Sequence, residues 1–264
     1  MKKQLFRVSA VALALALSGA GSSALAAGNE IVVGQSVALT GPLAEVGKDF
    51  SAAMKAYFDY VNAKGGANGK QIKLIVKDDA SVPAKSFQNA QALINENVDV
   101  LAGFTGTPNV ALLVRTKTLQ KNNIALVGPL TGADSLRAAH GTEEHKAEQG
   151  NYQLGADTMT EGHIPQLFHV RAGYSDEARK IVKQAVSLGM QKIGVLYSDD
   201  AFGKTGLAAI NEALKEHKLQ LASKGIYSAK TGDISDAVKN ISAARPQAVI
   251  MLAKIGGDTL QTQP

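Results

Sequence analysis

The chain has 264 residues, 45% of them hydrophobic and 19% charged, with no cysteine and a formal net charge of +5. The missing cysteine excludes disulfides, and it excludes a lipid anchor on a processed N-terminal Cys. Lys2, Lys3 and Arg7 supply three of the positive charges, so loss of the leader they belong to lowers +5 to +2. The alkaline balance therefore gives no argument for nucleic acid as a partner.

Those three basic residues precede the apolar run Val8–Leu17, and Ala24-Leu25-Ala26 follows with small residues at cleavage spacing. Basic start, short apolar core and A-x-A site predict a secretory signal peptide over residues 1–26. The run is well short of the ~20 residues that a spanning helix needs. A secreted chain without a lipid tether is expected in the periplasm of a Gram-negative cell.

From Ile31 onward, strand-like and helix-like runs alternate. Ile31–Val37, Gln71–Lys77, Val98–Gly103 and Ile124–Val127 are rich in Val and Ile and read as buried parallel strands. Between them Phe50, Met54, Tyr57, Phe58 and Val61 recur at helical spacing, as do Phe87, Ala90, Ile94 and Val98. Thr107-Pro108 reads as an N-cap with a first-turn proline, opening a helix that runs to about Lys121.

Residues 138–165 carry five acids and almost no periodic apolar content, so they read as an inserted polar loop. A second series follows. Leu167–Arg171, Lys192–Tyr197, Gln220–Tyr227 and Ala248–Ala253 read as strands, and Ala178, Ile181, Val182, Ala185 and Ile234, Ala237, Val238, Ile241 mark helices. The expected fold class is α/β in two lobes, residues 27–137 and 166–264, each a parallel sheet flanked by helices. Such a pair places a ligand crevice between the lobes.

The run from Val37 to Asp79 carries a more specific signal. Leu39-Thr40-Gly41-Pro42, Gly47, Asn62, Gly65-Gly66, Gly69-Lys70 and Asp78-Asp79 resemble the opening of the leucine/isoleucine/valine-binding family of periplasmic substrate-binding proteins. The resemblance implies the type I periplasmic-binding fold and no enzymatic activity. It also implies capture of a small ligand between the lobes, hinge closure, and docking on an inner-membrane ABC permease. A sensory module of the same fold is the alternative. Family members continue after the strand Ala248–Ala253 and cross back to the first lobe. The resemblance therefore also implies a missing C-terminal return segment, with apolar surface left exposed on both lobes or an inactive fragment.

Site residues follow from the same comparison. Thr105, Gly106 and Thr107 lie between a strand end and a helix start, where oriented N–H and hydroxyl donors suit a carboxylate. The resemblance assigns Thr107 to the ligand α-carboxylate, Leu130, Thr131 and Gly132 to a second contact loop, and Tyr174 and Phe202 to the second lobe. Val46 takes the place of an aromatic residue. The family's acidic partner for an ammonium group lies beyond Pro264, while Asp199 and Asp200 are weaker alternatives as turn or cap residues.

No enzyme pattern emerges. Gly41–Asp49 misses the P-loop by one residue, and K-T-G at Lys204 and Lys230 has no S-x-x-K companion and reads as turn composition. His140, Glu143, Glu144 and His145 match no zinc-enzyme spacing. No catalytic residue, metal or cofactor is expected.

Overall fold

The computed structural model describes residues 30–41, 43–137, 164–228 and 231–253. Residues 1–29, where a signal peptide is expected, most of the 138–165 segment with its His–Glu cluster, and the residues after Ala253 lie outside them.

Five parallel strands make the first sheet, in the order β2-β1-β3-β4-β5: β1 (Glu30–Val37), β2 (Gln71–Asp78), β3 (Val100–Ala102), β4 (Leu126–Val127) and β5 (Leu167–Phe168). The helices between them are α1 (Ala44–Ala63), α2 (Pro83–Asn95), α3 (Thr107–Arg115) and α4 (Thr118–Lys121). Register aligns Gly34 with Leu101, Leu101 with Leu126 and Leu126 with Leu167. This row faces α2, where a Cβ on Gly34 would touch Leu93 at 3.1 Å. Successive strand residues point to opposite faces, so Val127 and Phe168 fall on the other side and are exposed, as is Val170 just beyond.

The second sheet has three parallel strands in the order β7-β6-β8: β6 (Ile193–Ser198), β7 (Ser223–Tyr227) and β8 (Ala248–Leu252). Helices α5 (Tyr174–Ser187) and α6 (Ala201–Glu216) pack on one face against Ile193, Val195 and Tyr197, while α7 (Ser235–Ala243) covers Leu196 and Tyr227 on the other. Val249 and Met251 of β8, in register with Gly194 and Leu196, remain exposed. An α/β chain with parallel sheets flanked by helices is what the alternating pattern requires.

Several local readings need correction. The strand placed at the start of the second series is β5, and it closes the first sheet. The Leu126 N–H donates to the Gln166 carbonyl at 2.7 Å and the Gly128 N–H to the Phe168 carbonyl at 2.8 Å, and Leu167 completes the leucine row. The helix expected over Thr107–Lys121 is two pieces. The Thr116 hydroxyl turns back onto the carbonyls of Leu112 and Leu113, and Lys117 adopts φ +54°, which ends α3. Tyr57 is off the buried face of α1 and stacks on Tyr60 in solvent; Ile181 and Val238 are likewise exposed.

The turn after α1 rests on one side chain. Asn62 Nδ2 donates to the Ile72 carbonyl at 2.8 Å, and the Ile72 N–H donates to Asn62 Oδ1 at 2.7 Å. The amide thus pairs with β2 as a neighbouring strand would. Asn62→Ala is expected to cost about 2 kcal/mol, two hydrogen bonds at roughly 1 kcal/mol each. An unchanged urea midpoint would remove this role.

Candidate functional site

In parallel α/β sheets the loops after the strand ends form the ligand-facing rim. Here a cavity of about 250 Å³ lies on that rim, lined by Leu43, Val46 and Gly47 from the start of α1, with Thr105, Gly106, Thr107, Leu130, Arg171, Tyr174, Phe202 and Ala253. These residues follow β3, β4, β5, β6 and β8 in turn, so both sheets contribute. A larger groove of about 500 Å³ between α1 and β2 runs along the outer side of the first sheet. It draws on one sheet only, and the smaller cavity is the candidate site.

The polar side of the cavity is the start of α3. Gly106 is the N-cap, at φ +88°, a conformation that suits glycine. Thr107 and Pro108 are the first two helical residues, so Thr107 is not the cap that the sequence suggests. The first intrahelical bond runs from Val110 N–H to the Gly106 carbonyl at 3.1 Å. The N–H groups of Thr107 and Asn109 therefore lie outside the helical ladder, at the positive end of the helix dipole.

The two threonines differ in their commitments. Thr107 Oγ1 lies 2.8 Å from Thr131 Oγ1 and 3.3 Å from the Tyr174 hydroxyl, and the Ala133 N–H donates to Thr131 at 3.2 Å. Thr105 is only 4% exposed, and its hydroxyl makes no hydrogen bond to any described residue. The hydroxyl best placed to receive a ligand is therefore on Thr105.

The opposite wall is aromatic. Tyr174 and Phe202 meet edge to face with centroids 5.6 Å apart, and the Arg171 guanidinium lies over the Tyr174 ring at 5.5 Å. Arg171 is also ion-paired with Glu177, one turn into α5. Gly132 and Thr131 stand behind this wall. The Tyr174 N–H donates to the Gly132 carbonyl at 2.6 Å, and a Cβ on Gly132 would sit 2.6 Å from the tyrosine ring.

Arg137 stitches the two loops together, its Nη2 donating to the carbonyls of Thr131 at 3.3 Å and Ala172 at 3.2 Å. Asp134 Oδ2 accepts from both the N–H and the hydroxyl of Ser175, each at 3.0 Å. Burial raises the Asp134 carboxyl above its usual range, against the pull of Ser175 and Arg137.

Beneath α3, fully buried Asp79 accepts from Ser36 Oγ at 2.9 Å, Asn109 Nδ2 at 3.2 Å and the Ser81 N–H at 2.9 Å. Burial pushes its carboxyl up, and these bonds oppose the rise. Its neighbour Asp78 behaves oppositely. Burial alone would raise it, but the Thr40 hydroxyl and the N–H groups of Ala80, Leu39 and Thr40 hold it at about 2. Asp79 thus anchors the first turn of α3 through Asn109, and Asp78 anchors the loop before α1.

Of the residues expected from sequence, Val46, Thr105, Gly106, Thr107, Leu130, Tyr174 and Phe202 line one cavity, with Thr131 and Gly132 behind them. Leu43, Gly47, Arg171 and Ala253 were not anticipated. Arg171 could have been found from its place directly after the apolar run Leu167–Val170. Asp200 caps α6, accepting from the Gly203 N–H at 3.1 Å and the Ser198 hydroxyl at 2.8 Å. The K-T-G string at Lys204 lies inside α6 and not in a turn.

Among the described residues no cluster of three or more His, Cys, Asp or Glu could hold a metal ion, and no helix is long and apolar enough to cross a membrane.

Residues 30–262 match the model of the periplasmic binding protein family. The chain belongs to that family. A curated relative, "Leu/Ile/Val-binding protein homolog 7" of Brucella suis biovar 1 (strain 1330), is 28% identical over 262 residues, covering 95% of this chain and 57% of the relative. Among solved structures, a substrate-binding periplasmic protein from Ralstonia solanacearum superposes with a TM-score of 0.72 at 31% identity, over 84% of this chain and 56% of that one. A possible leucine/isoleucine/valine-binding protein from Rhodopirellula baltica SH 1 gives 0.70 at 27% identity, over 85% and 56%. This periplasmic binding protein therefore spans a little over half the length of the relatives it matches, and its α/β fold is theirs.

Proposed function

We propose that this periplasmic binding protein is the non-enzymatic substrate-binding component of an ABC importer, exported to the periplasm, for branched-chain amino acids or similar small carboxylates. The observation that supports this best is the pairing, in one cavity, of the start of α3 with Thr105, whose hydroxyl has no hydrogen-bond partner among the described residues. A carboxylate there meets oriented donors and a favourable dipole, and its apolar body meets Leu43, Val46, Leu130 and Phe202. The names of the relatives point to the same ligand class. The partner implied is an inner-membrane permease that reads the closed form.

Calorimetric titration with leucine, isoleucine, valine and small monocarboxylates tests the reading. Thr105→Val is expected to weaken binding about tenfold or more, because a hydrogen bond to a charged group contributes roughly 1.5–3 kcal/mol. Equal affinities for Thr105→Val and the parent would take Thr105 out of the site. Thermal unfolding of the variant should stay near that of the parent, since the hydroxyl has no partner within the described protein.

A further inference from the structure

Arg171 is the one charged side chain lining the cavity among the described residues. It is held in place from two sides, by the Tyr174 ring at 5.5 Å and by the ion pair with Glu177. Glu177 itself does not line the cavity. A guanidinium has five N–H donors in a rigid fork, so pairing with one carboxylate leaves donors for a second acceptor. Across the cavity, Thr105 adds a hydroxyl with no partner among the described residues, and the start of α3 adds backbone N–H groups. The guanidinium and the N–H groups at the start of α3 favour negative charge, the hydroxyls of Thr105 and Tyr174 can donate to it, and the remaining lining is largely apolar. An ammonium group entering with the ligand would sit beside a fixed cation inside a small space.

We propose that Arg171 sets the ligand class of this cavity, making it a site for carboxylates with an apolar body and no ammonium group, in preference to the α-amino acids of the same shape. This rests on the reading of the cavity as the ligand site, and it narrows that reading to one of its two ligand classes. Arg171 acts by its charge at a fixed position, which gives it a signature separable from a packing role.

The test compares leucine with 4-methylpentanoate, which is leucine without the amino group. Both are titrated into the parent chain, Arg171→Gln and Arg171→Lys by calorimetry, with a thermal melt of each protein. In the parent, 4-methylpentanoate is expected to bind about tenfold tighter or more, since like charges brought together across a desolvated contact are strongly disfavoured. Arg171→Gln should weaken 4-methylpentanoate and bring the two ligands to near-equal affinity, whereas Arg171→Lys should retain the preference.

Leucine binding as tightly as 4-methylpentanoate in the parent would overturn the inference and leave the binding-protein reading standing. A preference that survives in Arg171→Gln would remove Arg171 as its cause. If Arg171→Gln fails to fold, loss of the preference in Arg171→Lys would overturn the role assigned to charge. Binding of neither these nor other small carboxylates to the parent would defeat both the proposed function and this inference.

Discussion

Gly47→Ala is expected to lower the melting temperature by roughly 6–12 °C, corresponding to about 3 kcal/mol in a chain of this size. The reason is space and not backbone conformation. A Cβ on Gly47 would lie 1.8 Å from the Ala38 carbonyl oxygen and 2.7 Å from its carbon. Both are main-chain atoms that follow β1, and they cannot rotate away. Either α1 withdraws from the sheet end or the loop after β1 moves, and overpacking of that kind costs about 1–3 kcal/mol or more.

The second sheet repeats the arrangement. A Cβ on Gly203, in the first turn of α6, would lie 2.1 Å from the Ser198 carbonyl oxygen, so Gly203→Ala should behave alike. Gly65 supplies the contrast. Nothing lies within 4 Å of its added Cβ, and only its φ of +99° is strained, so Gly65→Ala should cost about 1–2 kcal/mol. Thermal melts of the three variants decide the matter. A shift at Gly47 no larger than that at Gly65 would show that α1 yields readily. Because Gly47 lines the cavity, ligand affinity should fall with stability there, but not at Gly65.

Asp79→Ala is expected to destabilise the protein by about 3 kcal/mol, because hydrogen bonds to a charged group are strong and their loss leaves buried donors unpaired. The donors are Ser36, Asn109 and the Ser81 N–H, all around a carboxylate with no exposed surface. Urea unfolding at pH 7 measures this, and a change near zero would mean that water replaces the carboxylate.

The milder Asp79→Asn variant tests the sign of the titration. Burial raises the Asp79 carboxyl above 3.8, so the folded state holds its proton more tightly than the unfolded chain does. The part of its contribution that depends on the bound proton is therefore fully present below 3.8 and is lost as pH rises from there through the folded value, while the hydrogen bonds to the carboxylate remain at pH 7. The advantage of the parent over Asp79→Asn should shrink as pH increases across that window. Asp78, held at about 2, runs the other way. Its contribution is present above 3.8 and is lost as pH falls through about 2, so the advantage over Asp78→Asn should grow with pH. Parallel slopes for the two variants would overturn the contrast between these neighbouring acids.

That contrast marks the limit of what Asp78-Asp79 says as a dipeptide. Two adjacent carboxyls at a strand end look alike in sequence. One turns toward the loop donors of Leu39, Thr40 and Ala80, and the other is sealed under α3. Which is which depends on Asn109, 30 positions away, and no local pattern carries that information. Thr107 is a similar case. Its helix-start position was legible, but the direction of its hydroxyl was set by Thr131 and Tyr174, which reach it from two other loops.

The sequence by itself determined the strand and helix alternation, because apolar period is a local property: Phe87, Ala90 and Ile94 of α2 pack inward as their spacing requires, whereas Val98 is buried after the helix has ended. It also determined that the loops after the strands carry the candidate site, since parallel strands put those loops on one rim. Only the tertiary structure decided that Leu167–Phe168 belongs to the first sheet, that the Thr105 hydroxyl has no partner among the described residues, and that Arg171 reaches the cavity over Tyr174. The physical reason is common to all three. Sheet membership, hydrogen-bond commitment and desolvation are fixed by partners far away in the chain, and those partners meet only in the assembled fold.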